Sequence, residues 1–182
     1  MGWQATKFEG LWVFEPKIFG DHRGYFLESF NENTLQGTDI DVRFVQDNEA
    51  KSTKGVLRGL HYQVGPKAQS KLVRVVTGEV LDVVVDIRPN SATYGQHYAI
   101  VLNDVNKLQL FVPKGFAHGY VVLSDEAIFV YKCDAFYSKE DEGGILYNDP
   151  SLHIDWLLPT NKLILSDKDL QQPILGKHKT FY

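Results

Sequence analysis

Cysteine is nearly absent from this sequence: Cys133 is the only one among 182 residues. A single thiol can form no disulfide within the chain, and there is no cysteine cluster for a structural zinc site. Cys133 lies in the apolar run "AIFVYKCD". We therefore expect a buried thiol rather than a reactive one.

Long hydrophobic runs and a strong excess of one charge are also lacking. Nowhere do 18 uncharged apolar residues follow one another, and "MGWQATKFEG" at the start holds no apolar run of signal-peptide length. The formal net charge is −4, from 19 basic and 23 acidic residues. We expect a soluble cytoplasmic protein that binds neither membranes nor nucleic acids, with room for a local basic pocket that takes one anionic ligand.

What the sequence does contain is a series of short segments with alternating apolar residues. In "EVLDVVVDI" (79–87), Leu81, Val83 and Val85 share one face of a strand, while Asp82 and Val84 share the other. Similar segments, rich in Val, Ile, Phe and Tyr, cover residues 24–30, 56–63, 71–76, 97–102, 108–112, 118–123 and 127–133. Turn or loop signals occupy 77–79, 88–95 and 138–144. The pattern predicts an all-β sandwich or barrel that forms one domain over residues 1–182.

The tail at residues 159–182 differs from the rest. Ser166 precedes Asp169 by three positions, the spacing of a helix N-cap and the acidic residue that follows it. We expect a short helix here, closed by Pro173.

Two residues that can carry chemistry interrupt the strand "VLRGLHYQ" (56–63), namely Arg58 and His61. Strict alternation puts them on opposite faces, but Gly59 between them could form a β-bulge that re-aims one side chain. Locally, a lone histidine is more often structural than catalytic. An arginine such as Arg58 either pairs with a carboxylate at a rim or clamps a phosphate.

Other polar residues are equally ambiguous when taken singly. Tyr131 alternates with Phe129 and Cys133, which is typical of a core tyrosine, and Lys71 opens a strand as edge lysines often do. The histidines are scattered and show no His-x-His pattern with a nearby Glu, so we expect no metal site. They are His22, His61, His97, His118, His153 and His178.

Eight blocks, taken in order, resemble the dTDP-4-dehydrorhamnose 3,5-epimerase family and span about residues 8 to 173. Among them are "FGDHRGYFLESF", "GVLRGLHYQ" and "FVPKGFAHGY", and together they cover residues 19–30, 44–52, 55–63, 71–88, 111–120, 131–137, 142–150 and 165–169. The resemblance implies a cupin-type jelly-roll barrel without metal or cofactor, and a homodimer with shared active sites. The implied substrate is a dTDP-linked 4-keto-6-deoxy sugar, dTDP-4-keto-6-deoxy-glucose, which is converted towards dTDP-4-keto-rhamnose.

The resemblance also implies roles for single residues. The family's base matches His61 and its carboxylate partner matches Asp169. The proton-donating tyrosine matches Tyr131, and the lysine near the sugar keto oxygen matches Lys71.

Further positions match ligand contacts of the family. Arg58 and Arg23 match residues that hold the nucleotide diphosphate, and residues 23–28 are expected to reach into a neighbouring subunit's site. The other matches to nucleotide, pocket or ligand contacts are Glu28, Gln46, Asp47, Asn48, His118, Glu142 and Lys168. The N-terminal segment is thereby expected to contribute to the dimer interface.

Alternatives to the 3,5-epimerase stay open at this point. The nearest are an enzyme that inverts carbon 3 only and an epimerase of another nucleotide-linked 4-keto sugar. A metal-dependent cupin enzyme and a non-catalytic sugar-nucleotide binding module are more distant. The binding module is disfavoured because binding alone needs no base and acid on opposite faces of a ligand.

Overall fold

The alternating segments form β-strands in the structure, a computed structural model that describes residues 2–181. The strands are β1 Gly2–Ala5, β2 Trp12–Glu15, β3 Ile18–Asp21, β4 Gly24–Leu27, β5 Gln46–Thr53, β6 Leu57–Gln63, β7 Lys71–Thr77, β8 Glu79–Asp86, β9 His97–Asn103, β10 Gln109–Val112, β11 Phe116–Val122, β12 Glu126–Cys133 and β13 Glu142–Gly144. A one-turn helix, α1, covers Asp167–Leu170, and short 3-10 turns lie at Glu32–Leu35, Gly65–Lys67 and Thr160–Lys162.

Two antiparallel sheets pack face to face. The six-stranded sheet has the order β1-β2-β10-β7-β12-β5, and the five-stranded sheet has the order β13-β6-β11-β8-β9. The hairpin β3-β4 forms a separate two-stranded sheet. Apolar side chains from both sheets, such as Val73 and Val84, interdigitate in one buried cluster. This arrangement confirms the predicted all-β jelly roll.

Strand β8 is buried on both faces, and its sequence already separates them. Val84 packs with Phe129 in the cluster between the sheets. Val83 packs on the other side of the five-stranded sheet, in a cluster that includes Trp156 of the C-terminal region. Full burial of one such valine contributes about 1.5–3 kcal/mol. The predicted division of residues 79–87 into two faces is confirmed.

Backbone hydrogen bonds dock the C-terminal region on the start of β6. The Leu57 N–H donates to the Ile164 carbonyl at 2.9 Å, and the Ile164 N–H donates to the Gly55 carbonyl at 2.8 Å. Gly55 has φ +83°, and a Cβ at this position would collide with the Lys162 carbonyl oxygen. Only glycine therefore allows the tail to come this close, and the contact holds α1 near β6.

Helical structure in the tail is shorter than predicted. Ser166 is the N-cap and accepts a hydrogen bond from the Asp169 N–H at 3.2 Å, which confirms the predicted cap. The helix nevertheless ends at Leu170, before Pro173, so proline does not close it. Within residues 2–181, no helix is long and apolar enough to cross a membrane.

Four strands, β1, β2, β3 and β5, were not predicted, and two predicted segments differ clearly in their extent. The strand expected over 24–30 is β4 and ends at Leu27, and the loop expected over 138–144 ends in the strand β13. β13 has no β-forming residue, but it pairs with β6, where Gly144 lies opposite His61. A tertiary edge pairing thus overrides the local preference for a loop.

Candidate active site

The pairing of β6 with β11 contains an irregularity at the point where β6 carries its polar residues. His61 lies opposite His118, while Arg58 lies opposite Tyr120. From Arg58 to His61 there are three steps along β6, but from Tyr120 to His118 there are only two steps along β11. Gly119 therefore lies opposite two residues of β6. This is the geometry of a β-bulge, which shifts the alternation of side chains by one position.

Gly59 makes the bulge possible. It has φ +126°, and a Cβ there would lie 2.5 Å from the Gly119 Cα. As a result Arg58 and His61, which strict alternation would separate, line the same cavity. The bulge predicted at Gly59 is confirmed.

This cavity has a volume of about 520 Å³ and is walled by both sheets and the C-terminal segment. The residues from the sequence prediction that line it are Arg58, His61, Lys71, His118, Tyr131, Lys168 and Asp169. A second cavity of about 310 Å³ shares His61, Lys71 and Tyr131 with the first. It adds the predicted residues Gln46, Asn48 and Glu142.

His61 and Asp169 form a close pair. The distance from His61 Nε2 to Asp169 Oδ1 is 2.5 Å, and the aspartate side chain is 5% exposed. Burial by itself would raise the pKa of the Asp169 carboxyl, but hydrogen bonds with His61 and Ser166 and the charges of His61 and Lys168 together lower this pKa below its ordinary value. An ionised carboxylate here orients the imidazole and stabilises an imidazolium.

Lys71 and Tyr131 lie on the adjacent strands β7 and β12, with the Lys71 Nζ 5.8 Å from the centroid of the Tyr131 ring. Burial lowers the pKa of Lys71, and electrostatic interactions with Cys133, Asp82 and Glu142 partly oppose this. Burial also raises the pKa of Tyr131. The phenol therefore stays protonated near neutral pH and is equipped to donate a proton.

A second histidine–aspartate pair lies at the wall of the same cavity, where His118 lines the cavity and Asp82 is buried behind it. His118 Nε2 lies 2.9 Å from Asp82 Oδ2, and the Asp82 side chain is fully buried. The ring of His118 stacks on Phe129. Asp82 was not among the predicted site residues, although a carboxylate within the apolar strand 79–87 was a signal that could have identified it.

Cationic groups also reach the cavity. The Arg58 guanidinium donates from Nε and from Nη2 to Ser52 Oγ, each at 3.2 Å. The Lys168 Nζ pairs with Glu142 Oε1 at 2.5 Å. An anionic ligand in this cavity would meet both cations, and a planar guanidinium can hold a phosphate through two hydrogen bonds.

Amide side chains line the second cavity together with Tyr137, which the sequence analysis missed. Gln46 Nε2 donates to Asn48 Oδ1 at 3.0 Å, and Gln46 Oε1 accepts from the Tyr137 N–H at 3.1 Å. The Tyr137 hydroxyl donates to Glu142 Oε2 at 3.1 Å. Tyr137 follows β12 in a loop, where alternation gives no signal. Its place at the end of the resembling block 131–137 was the one hint in the sequence.

Three predicted residues lie outside both cavities. Asp47 alternates with its neighbours along β5 and pairs with Lys132 Nζ at 2.9 Å on the outer side of the six-stranded sheet. Arg23 pairs with Asp21 at 2.6 Å on the hairpin β3-β4, and Glu28 is exposed just beyond it. The expected roles of Arg23 and Glu28 depend on a neighbouring subunit.

The histidines do not gather into a metal-binding cluster. His61 and His118 face each other, but His97 Nδ1 donates to the Leu152 carbonyl at 2.9 Å, away from both cavities. Among residues 2–181 there is no group of three or more His, Cys, Asp or Glu side chains that could hold a metal ion.

The fold and the site define a jelly-roll protein with acid–base groups converging on one cavity, and comparison with known proteins gives its family. A family model for dTDP-4-dehydrorhamnose 3,5-epimerase matches residues 5–177. A curated relative, the dTDP-4-dehydrorhamnose 3,5-epimerase of Shigella flexneri, is 56% identical over 166 residues, which cover 91% of each chain. The chain belongs to the dTDP-4-dehydrorhamnose 3,5-epimerase family, as the sequence predicted.

Solved structures agree with this assignment. The dTDP-4-dehydrorhamnose 3,5-epimerase of Elizabethkingia anophelis NUHP1 superposes with a TM-score of 0.94 at 49% identity, covering 100% of this chain and 99% of its own. A dTDP-6-deoxy-D-glucose-3,5-epimerase of Legionella pneumophila Philadelphia 1, in complex with dTDP-4-keto-L-rhamnose, gives a TM-score of 0.92 at 48% identity. The alignment covers 97% of this chain and 93% of the Legionella chain.

Proposed function

We propose that this chain inverts carbons 3 and 5 of dTDP-4-dehydro-6-deoxy-D-glucose and so forms dTDP-4-dehydro-L-rhamnose. One observation carries the proposal: the His61–Asp169 pair, Lys71 and Tyr131 line a single cavity. The ligand held by the Legionella relative supports the substrate class.

The reaction dictates which groups a site needs. Carbons 3 and 5 flank the ketone at carbon 4, and a hydrogen next to a carbonyl is acidic because the carbanion delocalises onto oxygen as an enolate. Inversion therefore needs a base on one face of the ring, a donor or cation at the keto oxygen, and an acid on the other face.

His61 is the proposed base. The ordinary pKa of a histidine, about 6.5, lies near the working pH, whereas a carboxylate is a much weaker base there. Asp169 stabilises the imidazolium that forms when His61 takes the proton. This role accounts for a histidine beside the buried apolar residues Leu60 and Tyr62 of β6.

Lys71 and Tyr131 are the proposed partners of that base. The Lys71 ammonium meets the negative charge that develops on the keto oxygen, and loss of such a preorganised donor typically costs on the order of 100-fold or more in rate. Tyr131, whose phenol keeps its proton because burial raises its pKa, delivers a proton from the opposite face.

The remaining residues are proposed to hold the nucleotide part. Arg58 and Lys168 attract the diphosphate by charge. Gln46 and Asn48 offer amide groups to the nucleotide, and His118 contacts the ligand within the cavity. The proposed acid–base steps use protein side chains and need no metal or cofactor.

Dimer formation is part of the proposal. The hairpin β3-β4 exposes Phe19 at 52% and Phe26 at 68%, which is costly for a free surface and typical of an interface. Packing of the hairpin on a second copy would bring Arg23 and Glu28 to the partner's site. The single domain predicted over residues 1–182 would then be the unit of a homodimer. A lone buried cysteine fits a cytoplasmic, reducing compartment.

One assay tests the function. The purified chain is mixed with the dTDP-linked 4-keto-6-deoxy-glucose in heavy water, and NMR follows deuterium and configuration at carbons 3 and 5. Exchange with inversion at both carbons is expected. Change at carbon 3 alone would favour the 3-epimerase, and no change at either carbon would contradict epimerisation of this sugar.

A further inference from the structure

The carboxylate of Asp169 is held on both of its oxygens. Oδ1 lies 2.5 Å from His61 Nε2, while Oδ2 lies 3.0 Å from the hydroxyl of Ser166. The same hydroxyl oxygen lies 3.2 Å from the Asp169 backbone nitrogen. Asp169 is 4% exposed, so bulk water has little access to either oxygen.

The direction of these hydrogen bonds follows from proton counting. A backbone N–H can only donate, so the Ser166 oxygen accepts from the Asp169 nitrogen. An ionised carboxylate can only accept, so the one hydroxyl proton of Ser166 goes to Oδ2. Ser166 is therefore the helix cap and a hydrogen-bond donor to the carboxylate at the same time.

We infer that Ser166 is a positioning residue for the His61–Asp169 pair. Its donor fixes the rotation of the Asp169 carboxylate, so that Oδ1 stays aligned with the imidazole. The inference rests on the proposed function for its kinetic consequence, but its geometric part concerns only groups within this chain.

Loss of the hydroxyl has a defined consequence. Without the Ser166 hydroxyl, Asp169 Oδ2 is buried and loses its hydrogen-bond donor. The carboxylate can then rotate and lose its alignment with the His61 imidazole. Groups that orient a catalytic or metal-binding side chain typically contribute about 10–100-fold to activity. Ser166 also lines the cavity, but its one hydroxyl proton is donated to Asp169 Oδ2. We therefore expect that loss in kcat, with little change in KM.

Two substitutions at position 166 separate the two roles of the serine. Ser166→Gly removes the hydroxyl, yet glycine is nearly as good as serine at a helix N-cap. Ser166→Thr keeps both the cap acceptor and the donor, and should restore most of the wild-type kcat. The matched control is Asp167→Ala, which removes a negative charge from an exposed residue at the same helix start and leaves the Ser166 hydroxyl in place.

The kcat and KM values of these variants distinguish the possible roles of Ser166. A kcat loss of about 10–100-fold in Ser166→Gly, with wild-type behaviour in Ser166→Thr and Asp167→Ala, supports the inference. Equal losses in Ser166→Gly and Asp167→Ala would show that turnover responds to any disturbance of the helix start, and would contradict a specific role for the hydroxyl. A raised KM with unchanged kcat would assign it to ligand binding, and unchanged kinetics in Ser166→Gly would remove it from the site.

Proton NMR of the free protein tests the geometry without substrate. The hydrogen-bonded N–H between His61 and Asp169 should give a far-downfield resonance, assigned by its loss in His61→Asn. We expect Ser166→Gly to shift or broaden this signal and Ser166→Thr to retain it. An identical signal in wild type and Ser166→Gly would overturn the inference, even if the proposed substrate proves to be wrong.

Discussion

His61 and His118 lie opposite each other on the paired strands β6 and β11, and each imidazole is bonded to a different aspartate. Asp82 reaches His118 from the buried strand β8. Asp169 reaches His61 from α1, 108 residues further along the chain. One pair is therefore built into the barrel, and the other depends on the docking of the tail.

Asp82 also bears on the charge of Lys71, because its negative charge raises the Lys71 pKa that burial lowers. Asp82→Asn keeps the shape and an acceptor for His118, but it removes that charge. The pKa of Lys71 then falls further, so the lysine loses its proton at lower pH. We expect the alkaline limb of kcat/KM to move to lower pH.

The control for this shift is Asp125→Asn, an equal change of charge on an exposed turn residue that lies between β11 and β12. Its alkaline limb should match that of the wild type. If the alkaline limb of the kcat/KM profile is unchanged in Asp82→Asn, the charge of Asp82 does not stabilise the protonated form of Lys71.

Asp169 links stability to pH. Its pKa in the folded protein is below the ordinary value, so the unfolded chain binds a proton at higher pH than the folded one. The stabilisation is fully present above the unfolded pKa of about 3.9 and is lost as pH falls through the folded pKa. Urea unfolding of wild type and Asp169→Asn should therefore differ most near neutral pH and converge in acid. A difference that is constant with pH would contradict this account.

Gly55 tests whether docking of the tail positions the pair. Gly55→Ala places a Cβ against the Lys162 carbonyl and must displace the segment that leads to Asp169. Gly37→Ala is the matched control, since Gly37 has a similar φ of +88° but no atom within 4 Å of the added Cβ. Both variants carry the left-handed backbone cost of about 1–2 kcal/mol.

Both variants should lose stability, but only Gly55→Ala should also lose turnover. We would measure kcat and the midpoint of urea unfolding for each variant. Turnover that falls equally in the two variants would show that stability alone is responsible. Wild-type turnover in Gly55→Ala would show that the tail tolerates the displacement.

Tyr131→Phe should separate proton removal from inversion. His61 can still exchange substrate hydrogens with solvent, but the acid on the opposite face is gone. We expect deuterium to enter the substrate while inverted product falls on the order of 100-fold. NMR in heavy water reports both quantities, and wild-type inversion in this variant would exclude Tyr131 as the acid.

Much of this architecture was predictable from the sequence because it depends on local rules. Alternation gave the faces of β8, the Ser166-to-Asp169 spacing gave the cap, and Gly59 marked the bulge that lets Arg58 join His61. These features depend on residues that are close together in the sequence. The period-2 alternation of side chains along a strand and the conformational freedom of a glycine determine them.

Other features depended on tertiary contacts and were not predictable. β13 forms because an edge of β6 is available to it, and Tyr137 reaches the second cavity from an irregular loop. Residues 46–48 were matched as one run because β5 was not predicted as a strand; within that strand Asp47 lies on the opposite side of the sheet from its neighbours. The second histidine–aspartate pair required the register of β8 against β11, which no local pattern fixes.

The central claim is that His61 removes hydrogens from the sugar, and substrate hydrogen exchange in heavy water with His61→Ala tests it most directly. Loss of His61 removes a stabilising partner of the buried Asp169 carboxylate, so we expect the variant to unfold at a lower temperature than the wild type. It should still be folded at the assay temperature, because His61 lies in the cavity wall and not in the apolar core. Deuterium uptake at carbons 3 and 5 should be almost abolished. Uptake close to the wild-type rate in a folded His61→Ala protein would show that another group is the base.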